Sequence, residues 1–136
     1  MDKKDILFIV GSTSDEAQIA SALELAKSLN LTYDFVVYSA HRNLKELTAF
    51  LEGNSDNYLV IICAAGLSAA LPGVVAAMVK NPVIGVPLVS GELSGMDALL
   101  SILQLPKGIP CATMGIGKQG GLNAVHLAKR IVDLHR

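Results

Sequence analysis

The chain has 136 residues, with eleven Lys and Arg against twelve Asp and Glu, and it is 51% apolar but only 17% charged. That length fits one domain built on one sheet or bundle, and a net charge of −1 leaves no basic excess for a nucleic acid or an anionic membrane surface. A small monomer has a high surface-to-volume ratio, so part of so large an apolar fraction is expected to be buried between subunits.

Met1-Asp2-Lys3-Lys4-Asp5 leads straight into a short apolar run, without the longer apolar stretch and cleavage site of a signal peptide. No uninterrupted apolar run reaches membrane-span length, so the expected location is the cytoplasm. Ile6 to Val10 reads as a strand buried on both faces and ends at Gly11. Ser12-Thr13-Ser14-Asp15 follows, and then Ile19, Ala20, Leu23, Ala26 and Leu29 recur at helical spacing. Phe35 to Tyr38 is predicted as the second strand, and Leu44 to Leu51 as a helix closed by Gly53-Asn54. Tyr58 to Cys63 is the third strand, followed by a helix from near Pro72 to about Lys80. That helix is apolar all round, which predicts burial on every side and hence a subunit interface. Val83 to Val86, Gly95 to Leu103, Cys111 to Met114 and Leu122 to Leu134 complete the series as strand, helix, strand and helix. Five strands alternating with helices through short connections predict a single α/β domain with a parallel sheet and helices on both faces.

Ligands of such a sheet bind outside the carboxyl ends of the strands. The first three of those ends carry Gly11 to Asp15, Ser39-Ala40-His41-Arg42 and Ala64 to Ser68. Free N–H groups before a helix favour an anion, although Ser12 or Ser14 capping that helix is the plainer alternative. Arg42 adds a rigid fork of donors suited to phosphate oxygens, and the Asp15 carboxylate suits ribose hydroxyls. His41 is the only histidine at a strand end, and imidazoles in general shuttle protons near neutral pH. His126 and His135 fall in the last helix and read as surface or packing residues. Cys63 and Cys111 read as reduced core thiols, neither has the setting of a nucleophile, and no metal-ligand spacing occurs.

These loops resemble, in order over nearly the whole chain, the PurE family, the catalytic subunit of phosphoribosylaminoimidazole carboxylase. The resembling blocks are Gly11 to Asp15, Ser39 to Arg42, Ala65-Gly66 with Leu71-Pro72-Gly73, Pro82 to Pro87, Leu93 to Leu99, Gln104 to Pro110 and Asn123-Ala124. The resemblance implies a doubly wound, flavodoxin-like fold, usually assembled as a homo-octamer, with an aminoimidazole ribonucleotide as substrate and no cofactor or metal. By position, Ser12, Ser39 and Arg42 would hold the phosphate with Ser14 assisting, Asp15 the ribose, and His41 the proton at the ring carbon that gains a carboxylate. Ala65, Gly66 and Ser68 complete the implied substrate-binding set. The family has a mutase branch and a direct carboxylase branch. Arg42 and Gln104-Leu105-Pro106 are similar to the mutase branch, whereas Gly66-Leu67-Ser68 leans to the other, and Ala70 stands where the mutase branch usually has His. Three alternatives therefore accompany the mutase reading: direct carboxylation with carbon dioxide, a nucleotide-binding paralogue without catalysis, and, from fold analogy alone, an electron carrier.

Overall fold

A computed structural model describes residues 2–136. Five parallel strands lie in the order β2-β1-β3-β4-β5. They are β1 (Lys4–Val10), β2 (Tyr33–Val37), β3 (Tyr58–Ala65), β4 (Val83–Pro87) and β5 (Ala112–Thr113). The helices are α1 (Glu16–Ser28), α2 (Leu44–Asn54), α3 (Leu71–Met78), α4 (Met96–Leu103) and α5 (Gly117–His135), with a 3₁₀ turn at Thr13–Asp15 before α1 and another at Ser55–Asn57. Among the described residues, no helix is long and apolar enough to cross a membrane.

The apolar strand runs are buried on both faces because each face has its own helical layer. Ile6, Phe8, Val10, Val60, Ile62 and Val86 pack with Ala22 and Ala26 of α1 and Ala124, Val125 and Ala128 of α5. Leu7, Ile9, Ile61 and Cys63 point the other way, against Leu47 and Leu51 of α2, Leu71 and Val75 of α3, and Ala98 of α4. The pairing Phe8↔Phe35 and Phe8↔Ile62 is held by this alternation, since a slip of one residue would exchange the two faces. At the amino ends of the central strands, Lys4 and Tyr58 both bond Asp34, Nζ to Oδ1 at 2.6 Å and hydroxyl to Oδ2 at 2.5 Å. Fully buried Asp5 accepts from the Thr32 N–H and pairs with Arg136, tying the start of β1 to the end of α5.

Three boundaries differ most from the sequence expectation. The helix α2 runs through Gly53 to Asn54, where the Asn54 side chain bonds the Phe50 carbonyl. The strand β5 keeps only two residues, because Pro110 has no N–H to add to the ladder and Gly115 turns the chain at φ +121°. The helix α5 begins at Gly117 rather than Leu122. Its glycines discourage a helix locally, but close packing requires Gly120, where a methyl group would lie 1.8 Å from the Gly115 carbonyl oxygen. Helix α3 buries Leu71, Pro72, Val75 and Ala76 against the sheet, while Ala77 and Met78 are exposed in the single chain.

Candidate functional site

The order β2-β1-β3-β4-β5 has one topological switch point, at β1, where the chain first runs outward to β2 and then crosses back to β3 on the other side. The loops after β1, β2 and β3 diverge there, and such a divergence opens a crevice at the carboxyl ends of the strands. A cleft of about 640 Å³ occupies that position. Ser12, Ser14, Asp15, Ser39, His41, Arg42, Ala65, Gly66 and Ser68 all line it. Residues from three separate loops are thus brought together by the topology alone. His126 and His135 are exposed on α5 and are not among the cleft-lining residues.

The serines of the first loop do not cap α1. Neither the 3₁₀ turn nor α1 has a side-chain cap bond. Instead the Ser12 and Ser14 hydroxyls lie 2.7 Å apart and bond each other. One hydroxyl of the pair donates to the other. Burial pushes the Asp15 carboxyl above its ordinary range, against the opposing pull of its bonds to Ser12. The second loop is closed by its own polar groups. Ser39 Oγ accepts from the Arg42 N–H at 3.1 Å, and the Asn43 side chain accepts from the Ser39 N–H at 3.2 Å. With its lone pair so engaged, the Ser39 hydroxyl hydrogen points elsewhere and can be given to a ligand oxygen. His41 and Arg42 are exposed at the tip of this turn, and among the described residues Arg42 enters no salt bridge.

The cleft therefore gathers hydroxyls, one guanidinium, a carboxylate and an imidazole. Its third wall is apolar and small, made by Ala65, Gly66, Ala69, Ala70 and Leu71. Ser90, from the loop after β4, also lines it. Nothing in the local sequence marks Ser90 for the site. The cysteines take no part. Burial pushes the Cys63 thiol well above its ordinary value, and it pushes Cys111 up to about 11, so both stay protonated.

A doubly wound α/β protein with a cleft that bears serine hydroxyls, a guanidinium and an imidazole at its switch point is the class that fold and site define. The chain belongs to the AIR carboxylase family, whose model matches residues 5–136. It is 45% identical over 131 residues to the N5-carboxyaminoimidazole ribonucleotide mutase of Escherichia coli K12, covering 96% of this chain and 78% of that protein. The mutase of Bacillus subtilis is 46% identical over 126 residues, covering 92% of this chain and 78% of that protein. The crystal structure of Treponema denticola PurE superposes with a TM-score of 0.85 at 29% identity, over 96% of this chain and 81% of the other. The doubly wound architecture expected from sequence is thus the observed one.

Proposed function

We propose that the protein converts N5-carboxyaminoimidazole ribonucleotide to the ring-carboxylated isomer, a step of purine biosynthesis. The observation that carries this reading is the convergence of Ser12, Asp15, Ser39, His41 and Arg42 on one cleft, in a chain so similar to named mutases. Ser12, Ser39 and Arg42 bind the phosphate, Ser14 supports Ser12, and Asp15 accepts from the ribose hydroxyls. Ala65, Gly66 and Ser68 bound the space left for the heterocycle.

The chemistry balances without any further reactant. The carbamate C–N bond breaks, its electron pair stays on the exocyclic nitrogen, and that nitrogen takes a proton as carbon dioxide is released. The electron-rich ring carbon then attacks the carbon dioxide held beside it. The new C–C bond leaves that carbon with its original hydrogen, and loss of the proton restores the aromatic ring. One proton therefore moves from carbon to nitrogen. His41 gives it at the first step and recovers it at the second. The small side chains of Ala65, Gly66, Ala69 and Ala70 leave room beside the heterocycle in which carbon dioxide can be confined.

The test supplies N5-carboxyaminoimidazole ribonucleotide carrying a labelled carboxyl, or the uncarboxylated ribonucleotide with labelled bicarbonate. We expect rapid product with retained label from the first. Efficient product from the second alone would make the protein a direct carboxylase, and none from either would make it a binding paralogue. Assembly belongs to the same proposal. Met96, Leu100 and Leu103 form an exposed apolar stripe on α4, with Met78 of α3 also exposed. These faces are taken as homo-octamer contacts, so light scattering should give about eight times the chain mass. Two unpaired thiols fit a reducing compartment, and the cytoplasm is the proposed location.

A further inference from the structure

The loop after β4 is fastened by a side chain 71 residues away in sequence. The last backbone bond of the β3–β4 ladder region runs from the Leu88 N–H to the Ala65 carbonyl at 3.0 Å. At the next residue no strand remains to pair with. The Gln18 amide takes that place: the Val89 N–H donates to Gln18 Oε1 at 3.0 Å, and Gln18 Nε2 donates to the Val89 carbonyl at 3.0 Å. A primary amide presents a donor and an acceptor side by side, as a peptide unit does, so this pair imitates one rung of a sheet.

Both ends of the rung bear on the cleft. Gln18 lies in the first turn of α1, one turn after Asp15. Val89 precedes Ser90, which lines the cleft. The loop also packs on the third wall. A methyl group on Gly66 would come within 2.9 Å of Ser90 Cβ, and one on Gly91 within 2.9 Å of Leu67 Cδ2. Beyond Val89 the backbone turns through positive φ at Gly91, Ser94 and Gly95, so the segment has no regular structure of its own to hold it.

We infer that Gln18 is a positioning residue: its two-bond clamp on Val89 presets the Val89–Gly91 loop, and with it Ser90 and the Gly66–Leu67 wall, for substrate. This inference rests on the proposed function for its kinetic consequence, but the clamp itself is a separate physical claim. A loop that is ordered for only part of the time lowers apparent affinity by the fraction of time it is competent. Once substrate is bound the loop is ordered either way, so turnover changes little.

Two variants test it, Gln18→Leu, which removes both bonds at similar size, and Gln18→Glu, which keeps an acceptor for the Val89 N–H. For Gln18→Leu we expect KM for the carboxylated ribonucleotide to rise about tenfold with kcat within twofold of the parent. Hydrogen exchange at the Val89 amide should quicken at least tenfold while amides of β1 and the rest of α1 keep their protection. Gln18→Glu should fall between parent and Gln18→Leu in both readouts. Unchanged KM and unchanged exchange in Gln18→Leu would overturn the inference. So would faster exchange throughout α1, which would make Gln18 a helix-stability residue. If the parent does not turn over the substrate, the proposed function fails. The exchange arm, with calorimetric binding of the uncarboxylated ribonucleotide, then still judges the clamp.

Discussion

Arg42 and Asp15 face the same cleft but answer to opposite forces. Arg42 is exposed and forms no ion pair among the described residues, so folding depends little on its charge. Arg42→Ala should weaken ribonucleotide binding by about 10- to 100-fold, the worth of hydrogen bonds to a charged phosphate. Thermal unfolding, followed by circular dichroism, should shift by no more than about 2 °C. Asp15 carries a cost instead. Its carboxyl is raised chiefly by burial, so the folded state favours the protonated form, and stability is lost as pH rises through the folded pKa. Asp15→Asn should therefore unfold at higher temperature than the parent at pH 7, with the gain fading below about pH 4. The same change should weaken substrate binding, because an amide has one acceptor oxygen where the carboxylate has two. A variant both less stable and unchanged in affinity would place Asp15 outside the site. These residues were legible in sequence because each stands at a strand end, where α/β topology gathers chemistry. Gln18 was not, because its partner lies 71 residues and three strands further along the chain and no local pattern announces a side chain that substitutes for a strand.

At the scale of elements, glycine separates what local propensity reveals from what packing decides. Gly53 lies in the last turn of α2 with nothing within 4 Å of where a methyl group would stand. Gly53→Ala should stabilise the protein by about 0.5 kcal/mol, read from urea unfolding. Gly120 also lies in a helix, but there a methyl group meets the Gly115 carbonyl. Gly120→Ala should destabilise by about 2 kcal/mol or more, since the start of α5 must move. The strands β1, β3 and β4 could be read directly, because burial on both faces demands continuous apolar runs. The start of α5 could not, because its glycines look like a loop, and one of them, Gly120, is the condition for its closest contact.

The whole molecule divides its tasks between the two ends of one sheet. The cleft stands at the carboxyl ends of the strands, and the Lys4–Asp34–Tyr58 cluster stands at the amino ends. The bonds from Lys4 and then from Tyr58 hold the Asp34 carboxyl below its ordinary range. Burial first, and the bond to Asp34 second, push the Tyr58 hydroxyl up to about 12. A lowered acid contributes stability above its unfolded pKa of 3.8 and loses it as pH falls through the folded value. A raised tyrosine contributes below about pH 10 and loses it as pH climbs toward 12. Asp34→Asn should thus lower stability by about 0.5 kcal/mol, the scale of a solvent-screened pair. That deficit should be largest between roughly pH 5 and 9 and shrink outside it, as a denaturant series at several pH values would show.

That cluster also makes the protein divisible for selection. Substitutions around Lys4, Asp34 and Tyr58 act on how long a molecule stays folded and leave its chemistry alone. Substitutions at the opposite rim act on chemistry and lean on whatever stability the amino ends supply. A mutational library confined to the amino ends should therefore yield variants that differ in heat tolerance at nearly constant kcat/KM. Those variants would be the better starting stock for altering the cleft.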